Sequence, residues 1–189
     1  MFTNNYIAYR HNKFFNTYKS SASMNGVYGK DYKSVYGSTV TAYNQAAIDL
    51  DIGYAMAYIK FSEMPTATSS SGSCGVLIGS GSTPATREDY KLESQITSGI
   101  SALNTYSVPV IAVDENGVCT VSTSFALKNT TEEDITIREI GVYAWVNTSS
   151  GSAYAHILLE RTVLDQPITI KPGLAKVLTY KITFNQPSQ

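Results

Sequence analysis

Ile135-Thr136-Ile137-Arg138-Glu139-Ile140-Gly141-Val142-Tyr143-Ala144-Trp145-Val146 is the stretch that decides the fold. Side chains alternate across an extended chain, so Ile135, Ile137 and Glu139 fall on one face and Ile140, Val142 and Ala144 on the other. Apolar residues on both faces over part of a strand are the mark of a central strand lying beneath another layer. Trp145 is expected to pack near the end of that strand. A polar loop, Asn147 to Gly151, then leads into a second β-rich run from Ser152 to Val163, and the pair reads as a hairpin.

The same pattern extends in both directions. Upstream, Val40 to Asn44, Ile52 to Phe61, Cys74 to Ile78, Tyr106 to Val113 and Val118 to Lys128 are rich in strand formers. Asp114-Glu115-Asn116-Gly117 supplies an Asn-Gly hairpin turn, and Asn129 to Asp134 a polar hairpin loop. Downstream, Pro172-Gly173 makes a tight turn before a closing strand, Ala175 to Phe184. Strands at this spacing predict a mainly β chain folded as an antiparallel β-sandwich. One short helix is expected after the glycine turn Gly79-Ser80-Gly81-Ser82-Thr83-Pro84. Thr86 is placed as its N-cap, Asp89 three residues on as its capping-box partner, and Leu92, Ile96 and Ile100 as its apolar face, or as that of a winding connection. Gln45 to Leu50 has room for one more helical turn.

Residues 1–38 read differently. Seven of the 14 tyrosines lie within residues 1–50, beside Phe2, Phe14 and Phe15, and neither helical nor strand periodicity is sustained. Three readings compete: an arm laid on neighbouring subunits, an ordered edge of the same domain, and an aromatic platform for single-stranded nucleic acid. The arm reading leads, because Tyr and Phe bury large area with few rotors to freeze. It makes Tyr6, Tyr9, Phe14, Phe15, Tyr18, Tyr28, Tyr32 and Tyr36 the expected contact residues, and divides the chain into an arm (1–38) and a β domain (39–189).

Composition narrows the function classes. At 189 residues the chain is long enough for a self-sufficient core. Charged residues make up only 15%, and neutral polar groups are cheaper to desolvate than charges, which favours surfaces that meet other protein. A net charge of −1 gives no general field for holding phosphates, so nucleic acid is not an expected partner. No apolar run approaches the roughly 18 residues of a membrane span, and the first residues lack the pattern of a signal peptide, so folding in a cytoplasm is expected. Cys74 and Cys119 read as reduced thiols, with a mutual disulfide not demanded. The sequons at Asn129 and Asn147 read as turns.

No catalytic or cofactor set emerges. His11 and His156 are far apart in sequence and do not make a zinc pattern with two distant cysteines. Gly79-Ser80-Gly81 follows an apolar strand but lacks the lysine of a phosphate loop and the third glycine of a dinucleotide loop. The acidic run Glu132-Glu133-Asp134 sits in a hairpin loop and reads as solvated. No enzyme activity, cofactor or metal is expected.

Three segments, taken in order, resemble a recurrent class of tailed-bacteriophage virion structural proteins. They are Val76 to Leu92 with its glycine turn and Pro84, Asp89 and Leu92; Ile137 to Tyr143 with Glu139, Gly141 and Tyr143; and Leu158 to Val163 with Arg161, leading into the closing hairpin. The resemblance covers roughly residues 75–184. It departs from the family in reading Gly-Ser-Gly-Ser-Thr-Pro at the turn and in placing a Tyr after Asp89. It implies a non-enzymatic building block of the collar or connector, tail or head surface, partnered by portal, tail, ring or capsid proteins and by further copies of itself. Gly79, Gly81, Pro84, Asp89, Leu92, Glu139, Gly141, Tyr143 and Arg161 are then frame residues. Glu139 is expected to be buried against Arg138, Arg161 or the turn near Gly81, since a buried carboxylate requires such a partner. The alternative from another class is a carbohydrate-binding or adhesive module, with Tyr54, Tyr58, Tyr143, Trp145 and Tyr154 as its aromatic surface.

Overall fold

A computed structural model describes residues 1–3, 30–34, 36–42, 56, 58–61, 74–115, 117–147 and 154–184. The strands among them are β1 (Lys30–Lys33), β2 (Thr39–Ala42), β3 (Gly75–Gly79), β4 (Ile100–Ala102), β5 (Val110–Val113), β6 (Cys119–Asn129), β7 (Ile135–Asn147), β8 (Tyr154–Ile170) and β9 (Ala175–Phe184). The fold is mainly β and every strand pair is antiparallel. One sheet runs β3-β7-β8. The other is centred on β6, with β4 and β5 along one side and β9 along the other. β1 and β2 form a separate hairpin whose turn contains the expected domain boundary at residue 38.

Both large sheets contribute to one core. On β6 the alternation is regular: Val121, Phe125 and Leu127 are buried, while Ser122, Ser124 and Ala126 are only half-buried. β9 matches it with Leu178, Tyr180 and Ile182 inward and Val177, Thr179 and Lys181 outward. These join Val76 and Ile78 of β3 and Ile140, Val142, Ile157 and Leu159 of β7 and β8 in one apolar cluster. Fully burying a side chain such as Phe125 or Leu127 contributes roughly 1.5–3 kcal/mol. At the end of β6, the buried Asn129 amide donates to Glu133 O (2.6 Å) and Ile170 O (2.8 Å) and accepts from Thr131. It joins three strand ends, so the sequon there is a structural corner.

β7 departs from simple alternation. Its pairing with β8 shifts between Ile137 and Glu139, where two steps along β7 meet five along β8 (Ile168 to Val163), with Pro167 in the irregular part. A second shift between Val142 and Tyr143 leaves Leu159 as the extra residue on β8. Such bulges re-aim side chains. As a result Ile135 and Ile137 lie on the same core as Ile140, Val142 and Ala144, not on the opposite face. Tyr143 faces the other way, with Leu77 and Leu92. β7 is nonetheless the central strand of its sheet and buried on both sides.

The short helix expected after the glycine turn is absent: residues 86–99 form turns and a bridge. The Thr86–Asp89 spacing does make its local bonds, with Thr86 N and Oγ1 each donating to the Asp89 carboxylate at 2.9 Å. The chain then leaves the helical path because its next amides bond elsewhere. Ile96 N donates to Ile78 O (2.9 Å), and Ser80 N donates back to Ser94 O (2.8 Å), so residues 94–96 run beside β3 as an extra edge. The segment Gln45 to Leu50 lies outside the described residues.

The first residues of the chain lie along β8. Thr3 N donates to Leu159 O (3.0 Å), Arg161 N donates to Met1 O (3.1 Å), and Ser34 bridges Ile157. On the far edge of the same sheet, Val76 N donates to Tyr58 O (2.7 Å) and Lys60 N to Val76 O (3.0 Å).

Candidate functional site

The residues singled out in the three motif segments meet at one place. Glu139 stands on β7 just past the first bulge, Arg161 on β8 opposite Gly141, and the connection from Ser80 to Ser94 folds over both. Glu139 is fully buried. Its Oε1 accepts from Gly81 N (3.1 Å) and Ser94 N (2.7 Å), and its Oε2 from Glu93 N (3.1 Å) and Arg161 Nε (2.7 Å). That fills the acceptor capacity of an ionised carboxylate.

Arg161 spends the rest of its fork on the same connection. Nη1 donates to Asp89 Oδ2 at 2.8 Å and Nη2 to Thr83 O at 3.1 Å, with Glu93 Oε2 3.5 Å away. Burial alone would lower the guanidinium's affinity for its proton, yet the bonds to Asp89 and Glu139 raise it above its ordinary value. For Asp89 burial pushes upward, but the Arg161 and Thr86 bonds outweigh it and hold the carboxyl below its usual range. Glu93, on the surface, is lowered by the side-chain and backbone bonds that Thr83 donates at 2.6 and 2.8 Å.

The glycines serve close approach. A Cβ on Gly79 would lie 2.4 Å from Glu139 Oε1 and 2.6 Å from Ser94 O, and one on Gly81 would lie 2.5 Å from Glu93 Cβ and 2.6 Å from Glu139 Oε1. Only residues without a side chain let the backbone come within hydrogen-bonding distance of the carboxylate there. Leu92 plugs the connection onto the sheet against Leu77 and Tyr143. Pro84 is exposed in the turn. Of the partners expected for Glu139, Arg161 and the Gly81 turn are the ones used, and Arg138 is exposed.

A second buried carboxylate was not legible in the sequence. Glu160 faces the β6 sheet and accepts from the Tyr180 hydroxyl, from Thr162 Oγ1 (2.6 Å) and from the Met1 ammonium (2.6 Å). Burial raises its pKa, and the ammonium works against that rise. His156 is buried on β8 with its ring 5.8 Å from that of Tyr143, and burial lowers its pKa to about 4, so it is neutral at pH 7. Cys74 and Cys119 are free thiols, and burial pushes Cys74 up to about 11.

Among the expected contact residues of the N-terminal segment, Tyr6, Tyr9, Phe14, Phe15, Tyr18 and Tyr28 lie outside the described residues. Tyr32 is in β1 opposite Val40, and Tyr36 is exposed at the following turn. Of the aromatics named for the adhesive alternative, Tyr143 is buried and Tyr58 packs against Tyr106 with ring centroids 5.2 Å apart. Tyr54 lies outside the described residues, while Trp145 and Tyr154 lie in β7 and β8. Among the described residues, no three His, Cys, Asp or Glu side chains are grouped to hold a metal, and no helix is long and apolar enough to cross a membrane. Comparison with known protein families, with curated proteins and with solved structures found no match.

Proposed function

We propose that this chain is a non-enzymatic structural component of a tailed-phage virion, in its collar or connector, tail or head surface. In this reading the two large sheets are the faces of a sandwich, which docks and oligomerises together with the aromatic N-terminal segment. The observation that supports it is the convergence of the three resembling segments. The glycine turn, the Glu-Ile-Gly-Val-Tyr strand and the Leu-Leu-Glu-Arg strand are distant in sequence, yet they meet on the Glu139–Arg161 pair. Glu139 is saturated by protein donors and sealed from solvent, an arrangement suited to locking a connection onto a sheet.

The test is composition of the particle. Mass spectrometry of density-purified virions of the phage encoding the chain is expected to find it at a fixed ratio to the portal or major capsid protein. Its absence from particles while abundant in the infected cell would overturn the proposal.

A further inference from the structure

The two large sheets differ in how their edges are guarded. Among the described residues, the outer edge of β8 is met by Met1 to Thr3 and Ser34, and that of β3 by Tyr58 to Lys60. The free edge of β9 carries the exposed Lys176 and Lys181, and charges on an edge discourage strand addition. Among the described residues β5 pairs only with β6, and it carries no charge; indeed none occurs from Leu103 to Val113. Six of the ten exposed large hydrophobic side chains among the described residues fall in that span, including Val108 (69%), Val110 (62%), Ile111 (64%) and Val113 (65%). Apolar exposure is thus concentrated on one neutral edge.

We propose that β5 is the seam through which two copies of this chain associate, strand against strand in antiparallel order about a twofold axis. The phase of the ladder supports it. Asp114 N donates to Val118 O (3.1 Å), so by alternation Ala112 and Val110 turn their backbone groups toward β6. Ile111 and Val113 turn theirs away, while Pro109, next on that side, has no N–H to offer. With Ala112 on the axis, Ile111 stands opposite Val113 of the second copy and Val113 opposite Ile111. All the outward groups of these two residues are then paired, and four β-branched side chains meet on one face. A neutral, self-complementary strand fits its own copy without like-charge repulsion. The patch is on the order of several hundred Å², below the roughly 800 Å² per partner of a standard interface, so a reversible dimer is expected.

The inference does not depend on the virion reading, because it concerns the purified chain alone. Sedimentation equilibrium across the micromolar range is expected to show a monomer–dimer system, with the Ile111 and Val113 amides protected from hydrogen exchange only in the dimer. Ile111→Lys with Val113→Lys should weaken association roughly 100-fold or more, since like charges then face each other. Both sites are exposed, so melting of the dilute monomer should not change. Val177→Lys, at an equally exposed site on β9, should leave the dimer intact. A chain that stays monomeric throughout, a dimer that survives the double lysine substitution, or β5 amides protected only by a different protein would each overturn the proposal.

Discussion

Arg161 on β8 and Glu139 on β7 are joined Nε to Oε2 at 2.7 Å, with side chains 3% and 0% exposed. Removing one partner strands the other charge in the interior. Arg161→Met is therefore expected to cost about 3–5 kcal/mol of stability, read from urea unfolding. A buried pair can often be exchanged for apolar residues without loss, but this one should not be. Glu139 also satisfies the N–H groups of Gly81, Glu93 and Ser94. The combined Glu139→Leu and Arg161→Met variant leaves those three donors orphaned, at roughly 1–3 kcal/mol each. A double variant as stable as the wild type would refute this account.

Gly81 is expected to refuse even a methyl group. Its new Cβ would collide with Glu93 Cβ and with the carboxylate it must bond. Gly81→Ala should destabilise by about 1–3 kcal/mol, as overpacking does. Gly173→Ala is a contrasting control for space, since no atom lies within 4 Å of its Cβ position, although its φ of +71° carries a backbone cost of its own. Losing amide protection at Ser94, whose N–H donates to Glu139, in Gly81→Ala, and retaining it in Gly173→Ala, is the hydrogen-exchange signature expected.

His156 makes stability depend on pH. Burial depresses its pKa from 6.5 to about 4, so the unfolded chain binds its proton more readily than the folded one. The contribution is fully present above pH 6.5 and is lost as pH falls toward 4, by roughly 3 kcal/mol at most. Glu160, whose pKa is raised by burial, opposes this trend, because acid relieves its charge. Asp89 adds to the loss at the acidic end. Unfolding free energies measured from pH 7.5 to 4 should fall with acid in the wild type and flatten in His156→Gln; an unchanged slope in that variant would assign the effect elsewhere.

Period-two patterning made the β class legible, and on β6 and β9 burial does follow the alternation, because those strands pair without interruption. It failed on β7, since bulges arise from two strands together and neither sequence alone displays the extra residue. The helix expectation failed for a related reason. Thr86 and Asp89 do form the local bonds their spacing suggests, but Glu93 N and Ser94 N are taken by a carboxylate 46 and 45 residues away. Glu139 and Arg161 were legible as frame residues through the resemblance. Glu93, Glu160 and the corner role of Asn129 were not, because an acid or an amide in a polar loop or a strand looks the same whether or not its partners arrive.

The lodging of Thr3 against β8 sets an order of events in folding. Its hydroxyl donates to Leu158 O at 2.7 Å across a separation of 155 residues. During synthesis the chain grows at roughly 5–20 residues per second, so Thr3 emerges many seconds before the strand that receives it. Contacts of such long span are slow to close because the loop entropy is lost before any bond is gained. Residues made well before β8 can thus be seated only once it has emerged, and this edge of β8 stays open until they arrive.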